Sequence, residues 1–187
     1  MTHATREAWL TAAAQGLIRL FDVRPRGPWR VTCGWPSRRG TAAKARVIGE
    51  CWSPSASGDQ TIEIIITIAM ANPLEILAVL AHELAHAHLA EGVGHRAPFA
   101  RLVKAMGLEG KPTATVVGPA FTRSTGGLLA ELGPYPHASL DYTERKKQST
   151  RMLKAECPFC GYTIRLSRKW LEVATPRCPV HEVEMSI

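Results

Sequence analysis

The stretch that decides the fold is residues 62–95, which read IEIIITIAMANPLEILAVLAHELAHAHLAEGVGH. Its first part is rich in β-branched residues, a composition that favours a buried strand. Asn72 and Pro73 form a helix start signal, because proline suits the first helical turn, and Gly92 and Gly94 provide a stop. We therefore predict a strand over residues 61–70 that leads into a helix over residues 73–91.

The predicted helix carries the motif HELAH at residues 82–86. Residues four apart face the same side of a helix, so His82 and His86 can reach one metal ion, and Glu83 lies beside them as a general base. Two imidazoles and one carboxylate in this arrangement are the pattern of zinc peptidases. His95 is the predicted third ligand, because the glycine break lets the chain turn back toward the metal. His88 should point away.

A second metal-binding pattern lies near the C-terminus, where Cys157 and Cys160 are followed, after seventeen residues, by Cys178 and His181. Two short pairs of ligands with a hairpin-length spacer suit a tetrahedral structural zinc site, in which all four positions are filled. The sequence therefore predicts two zinc ions, one catalytic and one structural. The predicted strands of this zinc ribbon are residues 162–166 and 169–173.

The rest of the chain completes an α+β architecture. We expect a zincin-like minimal metalloprotease domain, with a small mixed or antiparallel sheet next to the active-site helix, and a C-terminal β zinc ribbon. Residues 110–150 are rich in Gly, Pro, Thr and Ser, which indicates a linker or a loosely packed extension that is weakly helical only over 127–132. Further helices are predicted over residues 3–21 and 98–106, and further strands over 29–35 and 45–52. The predicted domains are 1–110, a linker over 111–153, and the ribbon over 154–187.

Charge is unevenly distributed along this 187-residue chain, whose net charge is +7. Residues 19–46 and 145–170 each contain eight basic residues and one acidic residue, whereas residues 47–144 contain five basic and ten acidic residues. Basic segments of this kind are compatible with a nucleic-acid-binding surface, and equally with a solvated charged surface. The candidate phosphate contacts are Arg145, Lys146, Lys147, Arg151, Lys154, Arg168 and Lys169.

The cysteine count and the N-terminus indicate a reducing compartment. The chain has five cysteines, an odd number, and its first residues resemble an amphipathic helix more than a secretory signal. No stretch is long and apolar enough for a transmembrane helix. We therefore expect a cytoplasmic protein without a membrane partner. Cys33 and Cys51, in strands predicted to be neighbours, are expected to be small buried hydrophobes.

These motifs together resemble the SprT-like zinc metallopeptidases, which include the eukaryotic protease Spartan. The N-terminal helix, the strands leading into HELAH, the segment GHRAPFARLVKAMG and the C-terminal ribbon follow in the family's order. The likeness is strongest to small prokaryotic or bacteriophage-encoded members. The family's metal ligands correspond to His82, His86 and His95, and its catalytic glutamate to Glu83. Its fourth ribbon ligand is usually a cysteine, where this chain has His181.

The resemblance implies a zinc-dependent endopeptidase that acts on DNA-associated proteins, since Spartan-type members cut proteins crosslinked to DNA and are activated by DNA. We expect the substrate to lie along an edge strand formed by residues 61–68. Tyr135, Tyr142 or His137 could fold over the site to stabilise the oxyanion. Neither the protein substrate nor the oligomeric state follows from the sequence.

Three other functions are compatible with the same motifs. The chain could be a nucleic-acid-associated zinc protein with a vestigial peptidase site. It could be a regulatory peptidase of the ImmA/IrrE type, although that group does not usually carry a C-terminal ribbon. It could also hydrolyse a non-protein amide. The number of zinc ions bound per chain separates the first alternative from a peptidase with two filled sites.

Overall fold

The computed structural model describes residues 3–42, 44, 46–141 and 152–187. The chain divides into two compact units, Met1–Tyr142 (unit 1) and Thr143–Ile187 (unit 2). Both contain strands and helices, so the α+β class is confirmed. Among the described residues, no helix has the length and apolar character needed to cross a membrane.

The main sheet of unit 1 has three strands: β1 (Trp29–Gly34), β2 (Gly49–Trp52) and β3 (Ile62–Thr67). Strand β3 lies in the centre, parallel to β1 and antiparallel to β2. The prediction that β3 is an edge strand is therefore wrong. Its alternate residues are buried, as the β-branched run indicated, but both of its edges are already paired. Cys33 and Cys51 lie on β1 and β2, so their strands are not neighbours.

Two helices build the core against this sheet. Helix α1 (Arg6–Phe21) begins where the Thr5 side chain accepts a hydrogen bond from the Ala8 backbone at 3.1 Å. Helix α2 (Pro73–His88) begins where the Asn72 side chain accepts bonds from the backbone of the first turn. Because α2 is buried along most of its length, the histidines near its end stand on a fixed support.

Helix α3 (Ala97–Ala105) follows a short turn, and the chain then continues to fold instead of forming the predicted linker. Strands β4 (Leu108–Lys111) and β5 (Ala114–Val117) form a hairpin, and helix α4 (Pro119–Leu132) comes after it. Phe121 and Leu132 of α4 are buried in the core. The boundary of unit 1 therefore lies some thirty residues beyond the one predicted at residue 110, because a few widely spaced apolar residues anchor a polar segment.

Unit 2 contains a hairpin of β6 (Leu153–Glu156) and β7 (Thr163–Leu166), followed by the short helix α5 (Arg168–Leu171). The first predicted strand agrees with β7. The second, over residues 169–173, is wrong, because this segment begins with α5. The partner of β7 comes instead from before the first cysteine pair, and Ser186 adds a bridge to Glu156 at the other side of β6.

Candidate metal centres

The three histidines predicted from the HELAH helix and its glycine break come together in unit 1. His82 and His86 project from α2, and His95 lies on the turn before α3. The Nε2 atom of His95 lies 3.2 Å from that of His86 and 3.3 Å from that of His82. Zn–N bonds of about 2.05 Å at the tetrahedral angle would separate two nitrogens by about 3.4 Å. Both distances match this separation, and the ligand atoms of all three residues lie within 4.8 Å of one another, so the cluster fits a single tetrahedral ion.

Two residues that sequence reasoning missed hold these imidazoles in place. The buried ring of Phe99 on α3 stacks on His86, with ring centroids 4.1 Å apart, and also contacts the other two rings. The Thr115 hydroxyl on β5 lies 2.9 Å from Nδ1 of His82. Phe99 could have been noticed as an aromatic residue four positions after His95. No sequence signal identifies Thr115, because its contact spans 33 residues.

The environment keeps these histidines neutral. Burial lowers the pKa of His82 to about 3, with further lowering from the two neighbouring imidazoles. Burial and His95 lower the pKa of His86 to about 4, and burial lowers that of His95. Since only the neutral imidazole offers a lone pair at Nε2, the cluster is in the protonation state that binds metals.

Glu83 lies on the same helix as the histidines but faces the sheet. It is only 6% exposed, and its carboxylate packs against Gly49 of β2. A Cβ at position 49 would come within 2.5 Å of Glu83 Oε1, so this close approach requires glycine. Burial, with a smaller contribution from Glu50, raises the pKa of Glu83 to about 8. The site thus pairs neutral imidazoles with a carboxyl group that is ready to hold a proton.

In unit 2, the second predicted ligand set also assembles. Sγ of Cys160 and of Cys178 lie 3.7 Å apart, and Nδ1 of His181 lies 3.7 Å from Cys157 Sγ and 3.8 Å from Cys178 Sγ. Around a tetrahedral zinc ion, two sulfurs would be about 3.8 Å apart, and a sulfur and a nitrogen about 3.6 Å. The four residues therefore fit one closed, four-coordinate ion.

The two ligand pairs of unit 2 sit in matching turns. The backbone N–H of Gly161 donates to the Cys157 carbonyl at 3.0 Å, and that of Glu182 donates to the Cys178 carbonyl at 2.8 Å. Gly161 and Glu182 both have positive φ angles, 71° and 54°. Burial alone would raise the pKa of the Cys178 thiol. Hydrogen bonds from the backbone and side chain of His181 and from the backbone of Val180 outweigh this effect and lower the pKa of Cys178 to about 6. A thiolate is the form that binds metal.

The predicted nucleic-acid contacts are only partly described. Arg145, Lys146, Lys147 and Arg151 lie outside the described residues. Lys154 forms an ion pair with Glu156, and Arg168 and Lys169 lie on α5. Lys169 Nζ lies 5.3 Å from the ring centre of Trp170, which is 60% exposed. This exposed pair of a cation and an aromatic ring was not predicted.

Other candidates lie elsewhere. His88 points away from the cluster, as expected, with Nδ1 3.0 Å from the carbonyl of Arg24. Tyr135 is buried, packs edge-on against Trp9 with centroids 5.0 Å apart, and donates a hydrogen bond to Cys33. It therefore has a packing role. His137 is exposed, and Tyr142 lies outside the described residues.

Comparison of this chain with protein-family models, with curated proteins and with solved structures found no match. The two clusters are therefore interpreted from their own chemistry.

Proposed function

We propose that the protein is a zinc-dependent endopeptidase of the SprT-like type, with a zincin-like unit 1 and a zinc ribbon in unit 2. The observation that carries the proposal is that Nε2 of His95 lies 3.2 Å from that of His86 and 3.3 Å from that of His82, two histidines of a helix that also carries a buried glutamate. Three protein ligands leave one position of a tetrahedral ion open, which is the arrangement of catalytic zinc. Four ligands, as in unit 2, leave none.

His82, His86 and His95 would hold the catalytic ion. When bound there, zinc lowers the pKa of a water molecule and polarises the substrate carbonyl. With Nε2 of His82 on the metal, Nδ1 would carry the proton and donate it to the Thr115 hydroxyl, which would keep the Nε2 lone pair directed at the metal position. Phe99 fills the space behind the three rings and so limits their rotation.

Glu83 is the general base of the proposed reaction. It accepts a proton from the attacking water and later gives that proton to the leaving nitrogen. Burial suits this task, because it raises the pKa of the carboxyl group to about 8 before any cation is present. A nearby metal cation would lower this pKa again and bring it closer to neutral pH.

The substrate would bind along β2, not along β3. Strand β2 is one of the two outer strands of the sheet, and among the described residues no backbone hydrogen bond is made to its outer side. Its Gly49 lies directly against Glu83. An extended polypeptide that pairs with β2 would therefore pass the general base.

The DNA-associated part of the proposal depends on charge. Arg168 and Lys169 offer cations for phosphates, and Trp170 offers an exposed ring on which a base could stack. Lys154 is weaker support, because it is already paired with Glu156. The ribbon would place these groups on a small metal-stabilised support.

The proposal is tested by cleavage of a DNA-binding protein with and without single-stranded DNA, comparing wild type with Glu83→Gln. We expect the variant to keep two zinc ions and lose about 10²–10⁴-fold of the activity, the usual contribution of a general base. Glu75→Gln is the matched control, because Glu75 is an exposed glutamate in the first turn of the same helix.

Each outcome tests a different part of the proposal. Undiminished cleavage by Glu83→Gln would remove the assigned role of this residue. Cleavage that ignores DNA would keep the peptidase and remove the DNA-associated substrate. If two zinc ions are bound and nothing is cleaved in any condition, the result points to a peptidase with a narrow substrate range or to a binding role.

A further inference from the structure

A cavity of about 640 Å³ opens beside the histidine cluster of unit 1. His86 and His95 form part of its wall, so any occupant lies next to the metal position. Cys51 and Trp52, at the end of β2, contribute another wall. Protein pockets that bind small ligands commonly measure about 300–1,000 Å³, so a large side chain fits with room to spare.

The chemistry of the lining favours an uncharged, apolar occupant. Ala87 is buried in the wall, and the ring of Trp52 is 39% exposed. The lining contains one basic and one acidic side chain, Arg26 and Glu91, so their charges offset each other. Arg26 donates to a backbone carbonyl at the end of α2 at 2.8 Å, and Glu91 accepts from a serine hydroxyl at 3.1 Å. Both charged groups already have partners within the protein.

The position of the cavity along β2 decides which substrate residue it would receive. Gly49, at the start of β2, lies against Glu83, whereas Trp52, at its end, lines the cavity. A polypeptide that pairs antiparallel to β2 runs in the opposite direction. It therefore passes the cavity before it reaches the general base. Antiparallel pairing is the more stable of the two arrangements.

We propose that this cavity is a specificity pocket that receives a large apolar side chain from the N-terminal side of the bond to be cleaved. The inference rests on the proposed peptidase function, which it deepens by naming the class of sequence that is cut. The pocket would select phenylalanine, leucine or similar residues over charged ones. Ala90 is a small residue of the wall, so a larger side chain at this position would take up part of the cavity.

The pocket itself is tested by binding, without any requirement for catalysis. N-acetylphenylalanine amide and N-acetylglycine amide are titrated into the full-length protein, metal-free and zinc-loaded, while the backbone amide signals of Ala87 and Ala90 are followed by NMR. Burial of a benzyl group should make the phenylalanine probe bind at least about ten-fold more tightly. Equal binding of the two probes would overturn the proposal.

Substitutions locate the binding. Ala90→Trp should fill the cavity and abolish the preference for the phenylalanine probe. Ala105→Trp is the matched control, since Ala105 is exposed on α3 and does not line the cavity. If Ala90→Trp does not fold, Trp52→Ala serves instead and should weaken only the phenylalanine probe. A preference that survives both substitutions would place the binding elsewhere and refute the pocket.

A cleavage map tests the direction. β-casein, which lacks a stable fold, is digested and the cut sites are identified by mass spectrometry. Wild type should cut after apolar residues, and Ala90→Trp should lose this enrichment. If apolar residues are enriched only on the C-terminal side of the cut bond, or not at all, the inference is contradicted, while the proposed peptidase function still stands. Absence of Glu83-dependent cleavage would contradict the proposed function, and the substrate role of the pocket with it.

Discussion

The two metal-binding clusters differ in how much buried structure surrounds them. The histidine cluster stands on α2, within a core that includes parts of four helices and the three-stranded sheet. The buried core of unit 2 consists of Ala155, Cys157, Cys178 and Met185, and two of these four residues are candidate metal ligands. In unit 1 the fold holds the ligands in position, whereas in unit 2 the ligands form much of the core. The same ion would therefore have a chemical role in one unit and a structural role in the other.

Metal removal should produce the largest difference in behaviour between the two units. Because the core of unit 2 is so small, we expect residues 152–187 to unfold when a chelator removes the metal, while α2 and β3 remain folded. The measurement is hydrogen exchange of each segment, with and without chelator. Protection of residues 153–166 should disappear, and readdition of zinc should restore it. If this segment stays protected from hydrogen exchange after its metal loss is verified, unit 2 does not depend on the metal for its fold, and the proposed difference between the units is wrong.

Ligand substitution in unit 1 should affect only its own site. His86→Ala is expected to lower the zinc content from two ions to one per chain while unit 2 stays folded. His88→Ala is the matched control, because His88 is directed toward the carbonyl of Arg24 and should leave two ions bound. Metal analysis of the purified variants gives the answer. A loss of both ions in His86→Ala would mean that the sites depend on each other.

The grouping of the candidate ligands in both clusters could be predicted because their geometry is local. His82 and His86 are one helical turn apart, and each pair in unit 2 lies within one tight turn. His95 required one further assumption, that the glycine-containing break reverses the chain. Chemistry that needs closely spaced residues leaves a recognisable pattern in the sequence.

The errors concern contacts between distant segments. That β3 is central depends on β1 pairing with it in parallel, which no local pattern specifies. Of helix α4 only the last six residues, 127–132, were predicted to be weakly helical, because its sequence is mostly small and polar and its long-range packing through Phe121 and Leu132 fixes the rest. The contact between Thr115 and His82 is of the same kind. Such residues can be assigned only after the chain has been folded in three dimensions.

Thr115 tests how far the fold, and not the ligands alone, tunes the site in unit 1. Thr115→Val keeps the β-branched shape but loses the hydrogen bond to His82, so we expect zinc affinity at this site to fall about 10–100-fold. Competition with a chromophoric chelator measures the change. Thr115→Ser should restore affinity, and Thr113→Val, an exposed position in the same hairpin, should have no effect. Unchanged zinc affinity in Thr115→Val would show that the hydrogen bond with this residue is not needed to orient His82.

The smallest expected effect concerns the matching turns of unit 2, where Glu182 occupies the position that Gly161 has in the first turn. A non-glycine residue at positive φ costs about 1 kcal/mol, and Glu182 has a φ of 54°. Because folding and metal binding are coupled in this unit, Glu182→Gly should raise its zinc affinity by up to about five-fold, and Gly161→Ala should lower it by a similar factor. Glu182→Ala removes the charge but keeps the strain, so comparison of the Gly and Ala variants isolates the backbone contribution. Equal zinc affinities of these two variants would mean that a residue other than glycine causes no backbone strain in the second turn. The two turns would then share their geometry but not the energetic requirement for glycine.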